Sequence, residues 1–594
     1  MFQTFTPTTT PEQGPPRLAK LRDRMEKDGI DGFIVPRADA HQGEYVAPCD
    51  ERLAWLTGFT GSAGFCIALK DKAGVFVDGR YRVQVKEQVD TDHFTPVAWP
   101  ETKPHEWLKD MLSEGVIAFD PWLFTKRQID EIRAGLDGSS ISLRPSPNLI
   151  DAIWDDRPPR PSGKVEAYPL ELSGKPSSEK RAETAALLKD AGHRAAVLTL
   201  PDSIAWLLNI RGSDIARIPI VQCFAIVYDT AKVDLFIDAT KLSEIETDPD
   251  ITILPNDGFE AALTHLSGPV RVDAATAPLK VSDILTEGGV EIAYADDPCI
   301  LPKARKNPVE IDGTRSAHLR DAKAMIDFLA WLDRQPAGGF TEIDAASALE
   351  GFRTASNTLR DISFETISGS GPNGAIVHYR VTEDSNRTVI DGDLLLVDSG
   401  GQYVDGTTDI TRTIAIGSPT DEQKACFTRV LQGMIAISRA RFPVGLSGRD
   451  LDALARAPLW MAGLDYDHGT GHGVGVYLSV HEGPQRLSRQ SETKLQPGMI
   501  LSNEPGYYRE GAFGIRIENL IVVEPAPDLP GGDHRDMLSF ETLTYVPIDR
   551  RLIATDLLSP GERSWIDDYH ADILKRVTPS PEAEDWLKKA TAPL

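Results

Sequence analysis

The sequence predicts an α/β (α+β) chain of three domains, two of them related copies and the third rich in strands that carry carboxylates. Three observations lead there: a length of 594 residues, an order of elements that occurs twice in the first half, and two proline-marked breaks. A single core stops growing at about 250 to 300 residues, so a chain of this length divides into several. Hydrophobic residues at 41% and charged residues at 26% give an ordinary globular balance, able to bury real cores.

The repeat opens with a helical stretch, Leu18 to Lys27, which runs through Gly29 into the apolar strand Gly32 to Val35, then Leu53-Ala-Trp-Leu56 and Val75-Phe-Val-Asp78. The second copy keeps that order: a helical stretch from Glu179 to Asp190, Gly192, the strand Ala195 to Leu198, Ile204-Ala-Trp-Leu207 and Leu235-Phe-Ile-Asp238. Short apolar strings recur by chance, but four elements in one order with two Ala-Trp-Leu triplets favour duplication, and loops absorb the differences in spacing. The Pro- and Gly-containing stretch Asp155 to Gly163 reads as an extended linker. A second break falls between Pro302 and Pro308, after which Ala322, Met325, Ile326, Leu329 and Leu332 recur at helical spacing. The expected domains are therefore 1–158, 164–303 and 308–594.

A net charge of -26 opposes contact with nucleic acid or anionic lipid, so neither is expected as a partner. The five cysteines, Cys49, Cys66, Cys223, Cys299 and Cys426, are scattered without a CxxC pair, which fits a reducing, cytoplasmic setting. Residues 1 to 16 are Thr- and Pro-rich without an apolar run, and read as a loose tail rather than a signal peptide. No stretch has the apolar length of a membrane span.

Within 308–594, the run Leu394-Leu-Leu-Val-Asp398 reads as a buried strand ending in a carboxylate. After a Ser-Gly-Gly turn, Tyr403 to Ile416 alternates as a returning strand, so the pair reads as a hairpin that points Asp398 and Asp409 into one space. In His468-Gly-Thr-Gly-His472-Gly-Val-Gly475 the missing side chains leave room for a metal or substrate beside the backbone, and His472 is the candidate nitrogen ligand. Ile500-Leu-Ser-Asn-Glu504 and Gly514-Ile-Arg-Ile-Glu518-Asn-Leu-Ile521 each place a glutamate in an apolar strand. Singly, each feature is better read as a turn, a loop or a solvent-facing side chain. Together, four carboxylates and one imidazole in apolar settings repel one another and lose hydration unless cations are present. Two divalent ions balance four carboxylates.

The order Asp, Asp, His, Glu, Glu in these motifs resembles the pita-bread metallopeptidase family. Within that family the whole chain is similar to the long, three-domain Xaa-Pro aminopeptidases, with two creatinase-like N-terminal domains before a pita-bread catalytic domain. Ile376-Val-His-Tyr379, His468 to Gly475 and Val480-His-Glu-Gly-Pro484 carry the likeness. The resemblance implies that Asp398 binds one metal, that Asp409 and Glu518 bridge both, and that His472 and Glu504 bind the other. Mostly hard oxygen donors with one imidazole suit Mn²⁺, while Co²⁺, Zn²⁺ or Fe²⁺ could occupy the same geometry.

The resemblance further implies release of the first residue from short peptides with proline second, by attack of a hydroxide that bridges the metals. Glu504 is then the proton acceptor, His378, His468 and His481 contact substrate and stabilise the tetrahedral intermediate, and the protein is a homodimer. Each of these three histidines could instead be structural, and their place in family motifs outweighs that. Arg516, two residues before Glu518, faces the same way on an alternating strand and braces a ligand carboxylate. Prolidase, a metal-free binding module and creatinase are the rivals. Duplicated N-terminal domains disfavour the first, and a complete ligand set disfavours the others. There is no GxxxxGK[ST] P-loop and no HExxH helix, and the glycines of 469 to 475 miss the GxGxxG spacing.

Overall fold

The structure is a computed structural model and describes residues 1–242 and 248–594. Backbone contacts divide the chain into one unit of Thr8–Lys303 and another of Met1–Pro7 with Ala304–Leu594.

The first unit holds two six-stranded sheets. One consists of β1 (Gly32–Pro36), β2 (Phe65–Leu69), β3 (Ala73–Val77), β4 (Thr95–Ala98), β5 (Glu114–Phe119) and β6 (Ser140–Pro145), in the order β4-β3-β2-β1-β5-β6. A small pair, β7 (Val165–Ala167) and β9 (Ile210–Gly212), accompanies the other sheet, which consists of β8 (Ala195–Leu198), β10 (Phe224–Tyr228), β11 (Val233–Phe236), β12 (Ile251–Leu254), β13 (Val270–Val272) and β14 (Ile292–Tyr294). Its order is β12-β11-β10-β8-β13-β14. Read across, both sheets pair parallel, antiparallel, antiparallel, parallel, parallel. The same order and directions in both sheets make the duplication a structural fact. The helices that open the copies, Gly14–Lys27 and Ser177–Asp190, are followed by Gly29 and Gly192 at φ +63° and +74°. That left-handed turn sends each chain into the central strand of its sheet, and glycine adopts it without strain. Residues 155–163 form no element, as expected of the linker.

In the second unit the helix Pro308–Leu332 starts where expected. Asn307 Oδ1 accepts from the Val309 and Glu310 amides, Glu310 Oε2 accepts from the Asn307 amide, and Pro308 fills the first turn. Ala322, Met325, Ile326, Leu329 and Leu332 are all buried in the main core of the unit. One three-stranded sheet has β15 (Asp361–Ile362), β18 (Gly401–Tyr403) and β19 (Gly406–Thr407), and another has β16 (Ile367–Ser370), β17 (Leu394–Ser399) and β20 (Ile410–Ala415) in the order β16-β17-β20. The largest sheet runs β21 (Phe442–Pro443), β28 (Met537–Thr542), β27 (Asn519–Pro525), β24 (Ile500–Asn503), β22 (Gly471–Gly473) and β23 (Glu482–Leu487). β25 (Gly506–Arg509) and β26 (Phe513–Arg516) form a hairpin of their own.

The expected loose tail is not observed. Pro11–Gln13 is a short 3-10 turn leading into the first helix, and Met1–Pro7 packs within the second unit. Gln3 is 4% exposed and exchanges hydrogen bonds with the backbone of Thr366, its Oε1 accepting from the amide at 2.8 Å and its Nε2 donating to the carbonyl at 3.2 Å. Side chains that satisfy an extended backbone make an apolar run unnecessary there.

Candidate metal centre

The two carboxylate segments do pair, but not as one simple hairpin: the returning strand expected over Tyr403 to Ile416 is broken, β18 and β19 pair in another sheet, and only β20 runs back along β17. β17 pairs antiparallel with β20, Asp398 opposite Thr411, and Asp409 directly precedes β20. A buried ion pair fixes the connection between them: Arg353 donates to Asp321 at 2.7 and 3.0 Å and to the Ser399 carbonyl at 3.3 Å, while Thr408 Oγ1 donates to Asp321 Oδ2 at 3.0 Å. Burial pushes the Asp321 carboxyl up, but Arg353 and the hydroxyls of Tyr403 and Thr408 outweigh it and hold the group below its ordinary range. Both limbs are thus tied to one pair of side chains.

His472 lies on β22, in a sheet rather than a loop, at a register shift between His472 and Gly473. The glycines beside it make room for a neighbouring strand, not for a metal: a Cβ at Gly471 would lie 1.9 Å from the Ser502 carbonyl oxygen. His472 Nδ1 lies 2.9 Å from the Gly473 carbonyl, which can only accept, so the ring proton sits on Nδ1. The lone pair of Nε2 is left beside Asp409 Oδ2 and Glu504 Oε1, each 3.5 Å away. Ser502 Oγ, which accepts from the His472 amide at 2.9 Å, donates to Glu504 Oε1 at 3.1 Å.

Glu504 and Glu518 sit at strand ends rather than inside strands. Glu504 follows β24 and Glu518 occupies the junction between β26 and β27, so the strand expected through 514–521 is two strands in different sheets. The break presents Glu518 toward β20, where its amide donates to the Thr411 carbonyl at 3.2 Å and its Oε2 accepts from Thr411 Oγ1 at 2.7 Å. Arg412 holds the junction from behind, donating to the carbonyls of Glu518 at 2.6 Å and Val546 at 2.7 Å, to Asn519 Oδ1 at 2.8 Å and to Tyr569 Oη at 3.0 Å.

All five sequence-predicted ligands come together. Donor atoms of Asp409, His472 and Glu518 lie within 4.8 Å of one another. Glu504 joins through His472, and the Asp398 carboxyl is within hydrogen-bond reach of Asp409. Burial, then the charges of Asp398 and Glu504, push the Asp409 carboxyl well above its usual range, and burial, then Asp409 and Glu504, do the same to Glu518. Asp398 Oδ1, Asp409 Oδ1 and Glu518 Oε1 are buried without a hydrogen-bond partner. Unsatisfied, mutually repelling carboxylate oxygens beside an imidazole lone pair are the donor set of a divalent-cation site, so the residues fit the ions that the sequence calls for.

Arg516, 1% exposed, donates to Asp398 Oδ2 from Nη2 at 2.6 Å and from Nε at 3.2 Å. Its Nη1 donates to Tyr508 Oη at 2.6 Å, and Tyr508 Oη lies 2.8 Å from His468 Nε2. His468 Nδ1 donates to the Gly469 carbonyl at 2.7 Å, so Nε2 accepts from the tyrosine. Burial pushes the Tyr508 hydroxyl up to about 12, which keeps it protonated as that donor. The His481 ring meets the His472 ring edge-on at 4.3 Å between centroids. His378 is half-buried, next to Val377, whose carbonyl accepts from Arg516 Nη2 at 3.3 Å. The sequence reading missed Tyr508, Thr411, Ser502 and Arg412. Thr411 and Ser502 each stand two residues from a ligand, an alternation that could have marked them. Arg412 and Tyr508 carry no such signal.

The sequence models of the Creatinase/Prolidase N-terminal domain match residues 17–153 and 156–310, that of metallopeptidase family M24 matches 312–525, and that of the C-terminal region of peptidase M24 matches 536–594. A probable Xaa-Pro aminopeptidase P of Talaromyces stipitatus is 38% identical over 611 residues, covering 97% of this chain and 92% of its own. Aminopeptidase P2 of Arabidopsis thaliana is 40% identical over 631 residues, covering 97% and 88%. The crystal structure of the X-prolyl aminopeptidase of Caenorhabditis elegans, described as a cytosolic enzyme with a di-nuclear active site, matches with a TM-score of 0.92 at 32% identity over 98% of this chain and 100% of its own. The N-terminal matches fall on the two structural copies, which are creatinase-type domains, and the M24 match falls on the pita-bread fold that holds the carboxylates. The chain therefore belongs to metallopeptidase family M24, among its three-domain Xaa-Pro aminopeptidases.

Proposed function

We propose that the protein is a dinuclear aminopeptidase that removes the first residue from short peptides with proline second. The observation that carries this is the group of three buried carboxylate oxygens without partners beside the His472 lone pair. Asp398, Asp409, His472, Glu504 and Glu518 would hold the two divalent ions, with Mn²⁺ the best match to the donors. Bound there, the pair of ions supplies acidified water and polarises the scissile carbonyl.

The chain's own residues do the rest. Glu504 accepts the proton of the attacking water and returns it to the leaving nitrogen, a reach supported by its position beside His472. His378 and His481 offer ring nitrogens to the substrate and to the oxyanion that develops at the carbonyl, whereas both ring nitrogens of His468 are engaged, by the Gly469 carbonyl and by Tyr508, so the direct contact expected of it is not available. Arg516 holds Asp398 in place, and Tyr508 links Arg516 to His468, whose tautomer the Gly469 carbonyl sets. A proline leaving group has no amide hydrogen and a fixed ring, which suits a site that does not depend on bonding that hydrogen. The names of the relatives support the substrate class, and the two creatinase-type domains favour it over a dipeptidase. The working domains are 8–158, 164–303 and 308–594, with Met1–Pro7 serving the last. The protein works in the cytoplasm, a reading supported by the nematode relative's description as cytosolic, and as a homodimer, which rests on the family resemblance alone.

Metal-stripped protein given back Mn²⁺ should release the first residue of a proline-second tripeptide and leave its alanine counterpart intact. Cleavage of Xaa-Pro dipeptides alone would replace this reading with a dipeptidase. Metal binding without cleavage of either would overturn the substrate class.

A further inference from the structure

The arm Met1–Pro7 converges on one short stretch of the catalytic unit. Arg380 reaches across to it, Nη2 donating to the Thr4 carbonyl at 3.0 Å and Nη1 to the Thr6 carbonyl at 3.2 Å. The Glu383 amide donates to the Phe5 carbonyl at 2.8 Å. The Phe5 ring packs in a cluster with Ile367, Tyr379, Val381 and Leu396, which Ile376 and Tyr508 also join. The arm is itself anchored at Glu350, whose Oε1 and Oε2 accept from the amides of Phe2 at 2.5 Å and Gln3 at 3.2 Å, and at Thr366 through Gln3.

The stretch 376–383 contains His378 and lies in no helix or strand. Without a ladder of backbone bonds, a segment opens locally at low cost unless other groups hold it. From one side it is held by Glu342, which accepts from Tyr379 Oη at 2.9 Å, and by Arg516 at the Val377 carbonyl. The arm supplies further contacts, with Thr4, Phe5 and Thr6 each bonded through a backbone carbonyl to that stretch. Leu396, in the same cluster, lies two residues before Asp398 on β17, so the arm also rests against the strand that carries a ligand.

We propose that Met1–Pro7 is a positioning element that fixes the His378-bearing segment for catalysis, with Phe5 and Gln3 as its positioning residues. This rests on the role of His378 given above, and the arm touches neither ligand nor substrate itself. An interaction realised only in the transition state lowers kcat and leaves KM in place when lost. A misplacement of about 1 Å costs up to about 100-fold in rate, so loosening 376–383 is expected to lower kcat about tenfold or more.

The test compares the full chain with Phe5→Ala, Phe5→Leu and Gln3→Ala by hydrogen exchange read by mass spectrometry, together with kinetics and bound metal. Faster exchange in 376–383, a fall in kcat with KM and metal content held, and recovery in Phe5→Leu are expected. Unchanged exchange in that stretch would overturn the proposal even if activity fell, and so would faster exchange with full kcat. Failure of the unaltered protein to cut proline-second peptides would instead count against the substrate class, and the exchange result would still decide whether the arm holds the segment.

Discussion

Replacing Arg516 by methionine separates the part of the site that depends on bound metal from the part that does not. The guanidinium is 1% exposed and donates to Asp398 Oδ2 at 2.6 and 3.2 Å, to Tyr508 Oη at 2.6 Å and to Thr411 Oγ1 at 3.3 Å. Removing one partner of a buried ion pair leaves an uncompensated charge and costs about 3 to 5 kcal/mol. In the metal-free protein only the Asp409 carboxyl, within hydrogen-bond reach, offsets part of that loss, so most of the cost applies, equivalent to a fall of roughly 5 to 8 °C in the unfolding transition at about 1.6 °C per kcal/mol for a unit of this size. In the loaded protein a cation beside Asp398 takes over much of that role, and the fall should be well under half as large. Thermal unfolding of the variant and the parent, each with chelator and with saturating Mn²⁺, measures both. Equal losses in the two forms would refute the reasoning, because they would mean that Asp398 gains nothing from a metal.

Glu504→Gln keeps an oxygen donor beside His472 but removes the proton acceptor, and should lower kcat by about 100- to 10,000-fold with metal still bound, measured by peptide hydrolysis beside elemental analysis. Tyr508→Phe removes the hydrogen bond to His468 Nε2 and should lower kcat more than it raises KM, with metal content unchanged. The Asp409 and Glu518 carboxyls lie well above their usual range in the metal-free fold, whereas in the unfolded chain they titrate near about 3.9 and 4.3. The unfolded chain therefore ionises first as pH rises, and the metal-free protein should lose stability from about pH 4 upward, relative to the loaded protein, until those groups ionise in the fold. Denaturant melts of both forms across pH show the slope, and proton release on metal addition reports the same linkage.

The sequence carried those parts of the fold that rest on local pattern. The two copies were legible because apolar strands and an Ala-Trp-Leu triplet recur in order, and the sheets of Thr8–Lys303 repeat strand for strand. The meeting of Asp398 and Asp409 was legible because a buried strand ending in a carboxylate is followed by a glycine turn and a return, but the β18–β19 pair that the connection sends into another sheet was not. What escaped depended on long-range contact. Glu518 looked like the middle of one strand because nothing local marks a chain that leaves β26 for another sheet. The glycines around His472 looked like room for a ligand, and the tight neighbour is the Ser502 backbone from a distant strand. The arm looked loose because Phe2 and Phe5 make no apolar run, and what holds it, Thr366 and Glu350 at Gln3 and Arg380 at the Thr4 and Thr6 carbonyls, lies hundreds of residues away. Arg412 is buried among carbonyls of segments that meet only in the folded unit.

The central claim is that the buried carboxylates and His472 form a site for two divalent ions on which hydrolysis depends. Calorimetric titration of metal-stripped protein with Mn²⁺, with peptide cleavage followed in the same samples, tests it most directly. Two ions bound per chain are expected, with release of the first residue from a proline-second peptide rising as they bind, and both lost in Asp409→Asn. No bound metal, or cleavage that proceeds undiminished in its absence, would contradict it.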